Sequence, residues 1–500
     1  MKKAAQAITN LTVSIPTDSE IKSACQEGEE DVLKLFHNFS SDVAQTLAIV
    51  KDSLKEATDQ TSKDSHNSSK PPSSDGLKKP NLTQSLRKKS GKIPGGVEGH
   101  TGDTLKQVEH PTETFDYTVD VCRNCGHSLV NEQVSDYEKR QVFEIEISFP
   151  VIEHKAEKKV CPSCGETTTA PFPQDVTQPV QYGKKLLATA VYLNQYQLVP
   201  LFRTQQIFLD LGNIPISQTT ILKAAEKMSR KTEGVVKRIK SYLTYWAEVV
   251  FLDESGIRAL GKLYWLHSAG NALATLYEIH KKRGTEAMNK IGILPNLTGI
   301  AVHDHWDSYF EYSCRHSLCN AHHLRELTFV EEAYEQEWAS ALIKHLLAIK
   351  DAVDTAKKEG RTALSEEQLI FNSQEYDRII EWGFTDNPPL PYVKKRGRVK
   401  RTKPQNLLGR LKGNKEETLR FMYDFRVSFD NNLAERDIRM IKLRQKISGC
   451  FRTEKYAGHF CNIRSYLSTV HKHNHSVFAA VLSVFEGNPY IPEILREVPV

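Results

Sequence analysis

The sequence predicts an α+β protein of several domains, and three observations carry that reading. A chain of 500 residues is too long for one hydrophobic core. Short apolar runs of strand length cluster between residues 247 and 304, while the stretches on either side repeat their apolar side chains at helical spacing. Two Cys-x-x-Cys pairs set a further small unit apart from both.

Residues 1–60 form an N-terminal helical segment, in which Ile21, Val32, Leu33, Leu35, Phe36, Val43, Leu47, Ile49, Val50 and Leu54 recur at roughly helical spacing. The same residues would serve a short coiled coil, with a plain helix as the alternative. Residues 61–115 form a basic linker. Ser-Ser-Lys-Pro-Pro-Ser-Ser-Asp (68–75) leads into Lys78, Lys79, Arg87, Lys88, Lys89 and Lys92, with too few large apolar side chains to repay the entropy of ordering. The linker is either a solvated tether or a tether that lies on phosphates.

Residues 116–175 hold Cys122-Arg-Asn-Cys125-Gly and Cys161-Pro-Ser-Cys164-Gly. A two-residue gap lets both sulfurs of a pair face one ion, and the following glycine permits the tight turn. Together Cys122, Cys125, Cys161 and Cys164 supply four thiolates, a closed set suited to structural Zn2+. Val142-Phe-Glu-Ile-Glu-Ile-Ser148 is expected to form strands of the ribbon between them. Buried free thiols are the alternative.

Residues 176–243 are expected to be helical. An amphipathic run over 201–211 is broken by Gly212-Asn213, and Ser217 can cap a second helix through Met228. This outline is that of a helix-turn-helix, although ordinary helix packing gives it too.

From residue 244 the rhythm changes. Ala247-Glu-Val-Val-Phe-Leu-Asp253, Lys262-Leu-Tyr-Trp-Leu-His-Ser268 and Ala274-Thr-Leu-Tyr-Glu-Ile-His280 read as three strands, residues 284–294 as a helix, and Gly299-Ile-Ala-Val-His-Asp304 as a fourth strand. Three strands that can meander, then a helix and a strand, is the opening order of an RNase H-like α/β fold. That core occupies 244–325 and 419–486, around a helical and basic insertion at 326–418; a polar tail follows at 487–500. The insertion carries the run Lys394, Lys395, Arg396, Arg398, Lys400, Arg401 and Lys403.

Composition limits the function. Hydrophobic residues make up 39% and charged residues 26% of the chain, and no stretch approaches the roughly 18 uninterrupted apolar residues of a membrane helix. The N-terminus lacks the apolar core of a signal peptide, so a cytoplasmic protein is expected, with no membrane partner. Nine cysteines do not make a disulfide scaffold. The net charge of +5 conceals local basic runs suited to a polyanion.

Asp253 and Asp304 each close a predicted strand, and neighbouring strands would bring the two carboxylates together. Glu435 lies early on a helix begun by Phe429-Asp-Asn-Asn432 and borders its stripe of Ala434, Ile438 and Ile441. Phosphodiester cleavage by two divalent cations about 4 Å apart needs such a hard-oxygen site. Glu254 and Asp307 are the nearest competitors. Glu254 falls on the opposite strand face and Asp307 past the strand end, so both read as supporting or surface groups. A second cluster of Cys314, His316, Cys319, His322 and His323 is a weaker metal candidate than a packed, hydrogen-bonded helix start.

Several motifs in order resemble transposases of the insertion sequence sixty-six family across almost the whole chain. They are Asn67-Ser-Ser-Lys-Pro-Pro-Ser-Ser-Asp75, Lys-Ser-Gly-Lys (89–92) with Gly-His-Thr-Gly, the cysteine pairs, Leu201-Phe-Arg-Thr-Gln-Gln-Ile-Phe, Asp253-Glu-Ser, Asp304-His-Trp-Asp-Ser-Tyr309, Cys319-Asn-Ala-His-His-Leu-Arg325 and Asp430-Asn-Asn-Leu-Ala-Glu-Arg436. The resemblance implies a DDE domain with Asp253, Asp304 and Glu435 as catalytic residues, two Mg2+ or Mn2+ ions as cofactor, and a helical insertion before the glutamate. It implies DNA cleavage and strand transfer, with transposon ends and target DNA as partners and a homo-oligomer in the synaptic complex. Arg436, Arg439, Lys442 and Arg444, with Lys446, are expected to meet phosphates beside the run from Lys394 to Arg401; a solvated basic face is the alternative. His305-Trp306 departs from the family's Gly-Tyr, and Gln445-Lys446 from its Arg-Lys. Two rival functions are a zinc-ribbon DNA-binding regulator with an inactive RNase H-like domain, and a nuclease that does not join.

Overall fold

The computed structural model describes residues 15–61, 63, 64, 66–68, 105–388 and 401–500. The chain divides into two units: residues 85–181 with 206–216, and the remainder. Among the described residues no helix is long and apolar enough to cross a membrane.

Helix α1 (Asp18–Glu27) begins at a capping box, where Thr17 Oγ1 accepts from the Glu20 N–H and the Glu20 carboxylate accepts from the Thr17 N–H. It stops at Gly28, and α2 (Glu29–Thr61) follows. The single helix expected from Glu20 to about Gln60 is therefore two.

In the smaller unit, each cysteine pair sits in the same turn. The Gly126 N–H donates to Cys122 O at 3.0 Å and the Gly165 N–H to Cys161 O at 2.8 Å, with φ of 73° and 74° at the two glycines. The ribbon differs from expectation. Residues 142–148 form no strand; the two-stranded ribbon is β1 (Lys158–Val160) against β2 (Thr167–Thr169), flanking the second cysteine turn alone. Alternating Val, Ile and Phe at 142–148 marked a strand by pattern, but a strand persists only with a partner for its N–H and C=O groups.

The larger unit is built on a five-stranded sheet. Helix α3 (Lys184–Val191) passes into a π-turn at Tyr192–Tyr196; α4 (Leu201–Gly212) counts with this unit only through Gln205, and α5 (Gln218–Tyr245) follows. The Ser217 cap on α5 is formed, Oγ accepting from the Thr220 N–H at 3.1 Å. The helix runs on well past Met228, because Val235, Val236, Ile239 and Leu243 continue its buried stripe. Strands β3 (Val249–Ala259), β4 (Lys262–Gly270) and β5 (Thr275–His280) form an antiparallel meander. Helix α6 (Thr285–Ile291) leads to β6 (Ile300–His303), which pairs parallel to β3, and β7 (Arg315–Leu318) pairs parallel to β6. The order is β5-β4-β3-β6-β7.

Gly299 sets the approach of β6. A Cβ there would lie 2.2 Å from Ala247 O and 2.8 Å from Glu248 O, and the Ile300 N–H donates to that same Glu248 carbonyl at 2.8 Å. Only glycine lets the two backbones come this close.

Helices cover both faces of the sheet. Val249, Phe251, Ile300 and Val302 pack with the insertion helices α7 (Asn320–Tyr334), α8 (Glu337–Lys358), α9 (Glu366–Asp386), α10 (Lys403–Gly413) and α11 (Lys415–Tyr423). Val250, Leu252 and Ala301 pack on the other face with α3 and α5, and with α13 (Glu454–Lys472) and α14 (Val477–Glu486). The alternation along β3 is the period-two signature of a strand buried on both sides. Helix α12 (Asn432–Ser448) lies across the meander through Ile438 and Ile441, against Ile257, Leu266 and Tyr277.

Candidate functional site

The register brings Asp253 and Asp304 together. Val249 pairs with Ile300, Val250 with Ala301 and Phe251 with Val302; two more steps set Asp253 beside Asp304. The Asp253 carboxylate accepts from the Glu254 N–H at 2.8 Å, and the Asp304 carboxylate from the Trp306 N–H at 3.1 Å.

Glu435 reaches the same place because α12 is pinned along its length. Asn431 Nδ2 donates to Leu252 O at 2.8 Å, one residue before Asp253, and the Asn431 N–H donates to the Cys319 sulfur at 3.2 Å. One turn on, Asp437 accepts from Lys472 Nζ at 2.9 Å and from Thr275 Oγ1 at 2.9 Å. Lys442 Nζ donates to Gly256 O. Past the helix, the Phe451 backbone bonds Arg258 and Leu260 at the β3–β4 turn.

The electrostatics report the convergence. Burial pushes the Asp253 carboxyl up to about 7, with the negative charges of Glu254, Asp304 and Glu435 adding to the shift. Oxygen donors of like charge crowded in a low-dielectric site form a set that a hard divalent cation would relieve. Among the described residues, no three His, Cys, Asp or Glu side chains gather tightly enough to hold a metal ion. The carboxylates thus fit such an ion by chemistry and by mutual repulsion, and would have to draw closer around it. The four cysteines form no such group either.

Of the two roles the strand pattern offered for Glu254, burial removes the surface one and leaves the supporting one. Glu254 is buried on the opposite face of β3, accepts from the Tyr309 hydroxyl, and pairs with Arg283 through Nε at 2.9 Å and Nη2 at 2.8 Å. Arg283 Nη2 also lies 4.0 Å from the Asp304 carboxylate. Nothing in the sequence separated Arg283 from an ordinary solvated charge at the end of Lys281-Lys282-Arg283. Asp437 and Lys472 were equally silent. Asp307 is exposed, in keeping with a surface role.

Most of the histidine cluster resolves into hydrogen bonds, although His322 Nδ1 is buried without a partner among the described residues. His303 Nε2 meets His316 Nδ1 at 2.9 Å, His316 Nε2 meets Tyr312 O at 2.9 Å, and His305 Nδ1 meets His323 Nε2 at 3.1 Å. Burial lowers His303 to about 3 and His305 to about 4. His305 also bonds Asn414 at 2.9 Å, so it ties the sheet to the insertion. This is the packed helix start the sequence offered as the alternative to metal.

The basic residues divide. Arg436 and Arg439 are exposed on α12. Lys442 and Arg444 are half-buried: Lys442 Nζ donates to the Gly256 carbonyl, and the Arg444 guanidinium lies over Phe451, 3.5 Å from the ring centre. Periodicity gave their helix face but could not foresee what lies beneath it. Lys394, Lys395, Arg396, Arg398 and Lys400 lie outside the described residues; Arg401 is exposed.

Comparison with known proteins adds two family matches. A family of unknown function (DUF6444) matches residues 14–106. The Transposase IS66 family matches residues 179–459, which span the sheet, the insertion and α12. No curated protein matches the chain. With more than half of its length matched, the chain belongs to the Transposase IS66 family.

Proposed function

We propose that the chain is a DNA transposase that cleaves transposon ends and joins them to target DNA through Asp253, Asp304 and Glu435. One observation carries this reading: the β3–β6 register, continued two steps, sets Asp253 beside Asp304, where the Asp253 carboxyl also feels the charge of Glu435. Asp304 follows the end of β6 as expected, whereas Asp253 lies within β3, which runs on to Ala259 instead of closing there. The strand order β5-β4-β3-β6-β7, with an antiparallel meander followed by two parallel strands, supports an RNase H-like core.

Two Mg2+ or Mn2+ ions, when bound, supply the Lewis acidity that ionises a water and steadies the leaving oxygen. The three carboxylates would hold them. Glu254 and Arg283 brace the site from the other face of β3. Arg436 and Arg439, exposed on the helix that carries Glu435, are proposed to meet DNA phosphates together with the basic run from Lys394 to Arg401.

The four cysteines are proposed to take a structural zinc, on the strength of the two matched turns. About one zinc per purified chain is expected by elemental analysis; a zinc-free, fully folded chain removes the proposal.

The catalytic reading is tested with end-bearing DNA, a target plasmid and Mg2+. Asp253→Asn, Asp304→Asn and Glu435→Gln should each cut strand transfer by about a thousandfold or more while leaving DNA binding intact. Strand transfer by Asp253→Asn at the wild-type rate would sink the assignment. DNA cleavage without joining would identify a nuclease, and specific binding without cleavage a regulator.

A further inference from the structure

The pair Glu254–Arg283 has a geometry that ordinary surface ion pairs lack. The Glu254 side chain is 1% exposed and that of Arg283 is 35% exposed. Glu254 Oε1 accepts from Arg283 Nε at 2.9 Å and lies 2.8 Å from Nη2 as an ion pair, while Oε2 accepts from the Tyr309 hydroxyl. The guanidinium carbon lies over the Trp306 ring, 4.1 Å from its centre, and 5.0 Å from that of Trp265, within cation–π reach of both. One carboxylate and two indoles thus hold the guanidinium in place. Its position sets Nη2 4.0 Å from the Asp304 carboxylate. Trp306 serves both sides, because its own backbone N–H holds the other Asp304 oxygen at 3.1 Å.

We propose that Arg283 is a positioning residue that serves as the resident counter-ion of Asp304, with Glu254 holding it at a distance that lets an incoming divalent cation take its place. This rests on the carboxylate reading given above. The Asp304 contact is long for a salt bridge, so it orients the carboxylate without competing strongly for it. The Glu254 contacts are short and buried, which keeps the guanidinium from closing onto Asp304. The two charges therefore act with opposite sign on cation binding. Removing the positive charge should make the site more receptive. Removing Glu254 should release Arg283 toward Asp304 and make the site less receptive. A purely structural role for the pair predicts that both changes loosen the site and weaken binding alike.

The test is Mn2+ binding to the full chain, followed by electron paramagnetic resonance of the free ion, with no DNA present. Arg283→Met keeps the aliphatic stem between the indoles and is expected to bind Mn2+ on the order of three- to tenfold tighter. Glu254→Gln keeps the shape and is expected to bind by a similar factor more weakly. The double variant should return near wild type. Circular dichroism and the thermal midpoint check that each variant is folded, and Arg283→Lys, which keeps the charge but not the fork, stands in if Arg283→Met is not; it should bind Mn2+ nearer wild type. A wild-type chain that binds no Mn2+ overturns the carboxylate reading and this proposal with it. A wild type that binds Mn2+, with both single variants weakened, overturns the role of Arg283 and leaves the carboxylate reading standing.

Discussion

At Asp253, burial and crowding act in the same direction. Its carboxyl rises to about 7 from an ordinary value of 3.8, so the folded state holds this proton more tightly than the unfolded chain does. The stability linked to that proton is complete below about pH 4 and is lost as pH rises through about 7. Asp253→Asn, which imitates the protonated form, should therefore stabilise the metal-free chain at pH 8, by roughly 2–4 kcal/mol. The two chains should converge in stability near pH 3.5, where both states of Asp253 are protonated. Calorimetry across that range in the presence of a chelator decides it; an equal offset at every pH would mean that the shift is absent. At this scale the sequence was partly legible. Asp253 and Asp304 were visible because each ends an apolar run, and Glu435 because it borders a stripe. Arg283, Asp437 and Lys472 were invisible, because their partners are 29, 35 and more residues away and nothing local distinguishes a buried charge from a solvated one.

At the scale of elements, α12 is positioned by polar contacts as well as by its narrow apolar stripe. The Asp437–Lys472 pair is its central pin, with both side chains largely buried. Removing one partner strands the other charge in a low-dielectric site, which costs about 3–5 kcal/mol. Lys472→Met should lower unfolding free energy by that order in urea titration. A loss below about 1 kcal/mol would mean that the pin is solvated. On α2, the exposed residues Leu33, Phe36, Leu47 and Leu54 keep the expectation of a coiled coil open. Replacing Leu47 and Leu54 by Glu should shift the chain from oligomer to monomer in sedimentation, and an unchanged mass would favour a plain helix. The three meander strands and β6 were legible as short apolar or alternating runs, whereas β7 was missed, because Arg315-His-Ser-Leu318 carries a single large apolar side chain. The length of α5 and the break at Gly28 were not legible either, because helix ends depend on which faces find cover.

For the whole molecule, the matched family domain and the sheet coincide. The domain opens at residue 179, just before α3, and runs past α12 into α13. The sequence conveyed this as a split core around an insertion, since the second aspartate and the glutamate are separated by helical and basic chain without strand signal. What it could not convey was that the insertion packs its helices on Val249, Phe251, Ile300 and Val302, the sheet face to which alternation also assigns Asp253 and Asp304. DNA affinity belongs to this scale. Neutralising Lys394, Lys395, Arg396 and Arg398 together should flatten the dependence of log affinity on log salt, by about 0.9 for each phosphate that the chain no longer neutralises. An unchanged slope would remove that run from the interface.

Gly299 ties these scales together. Its missing side chain lets one strand settle against the next in a single alignment, and the adjacency of two acidic residues follows from that alignment alone. Any heavier residue would wedge the seam open at its first rung and part the acids, although it touches neither. Inactivating lesions in this chain can therefore arise at a position that bears no reactive group and meets no DNA.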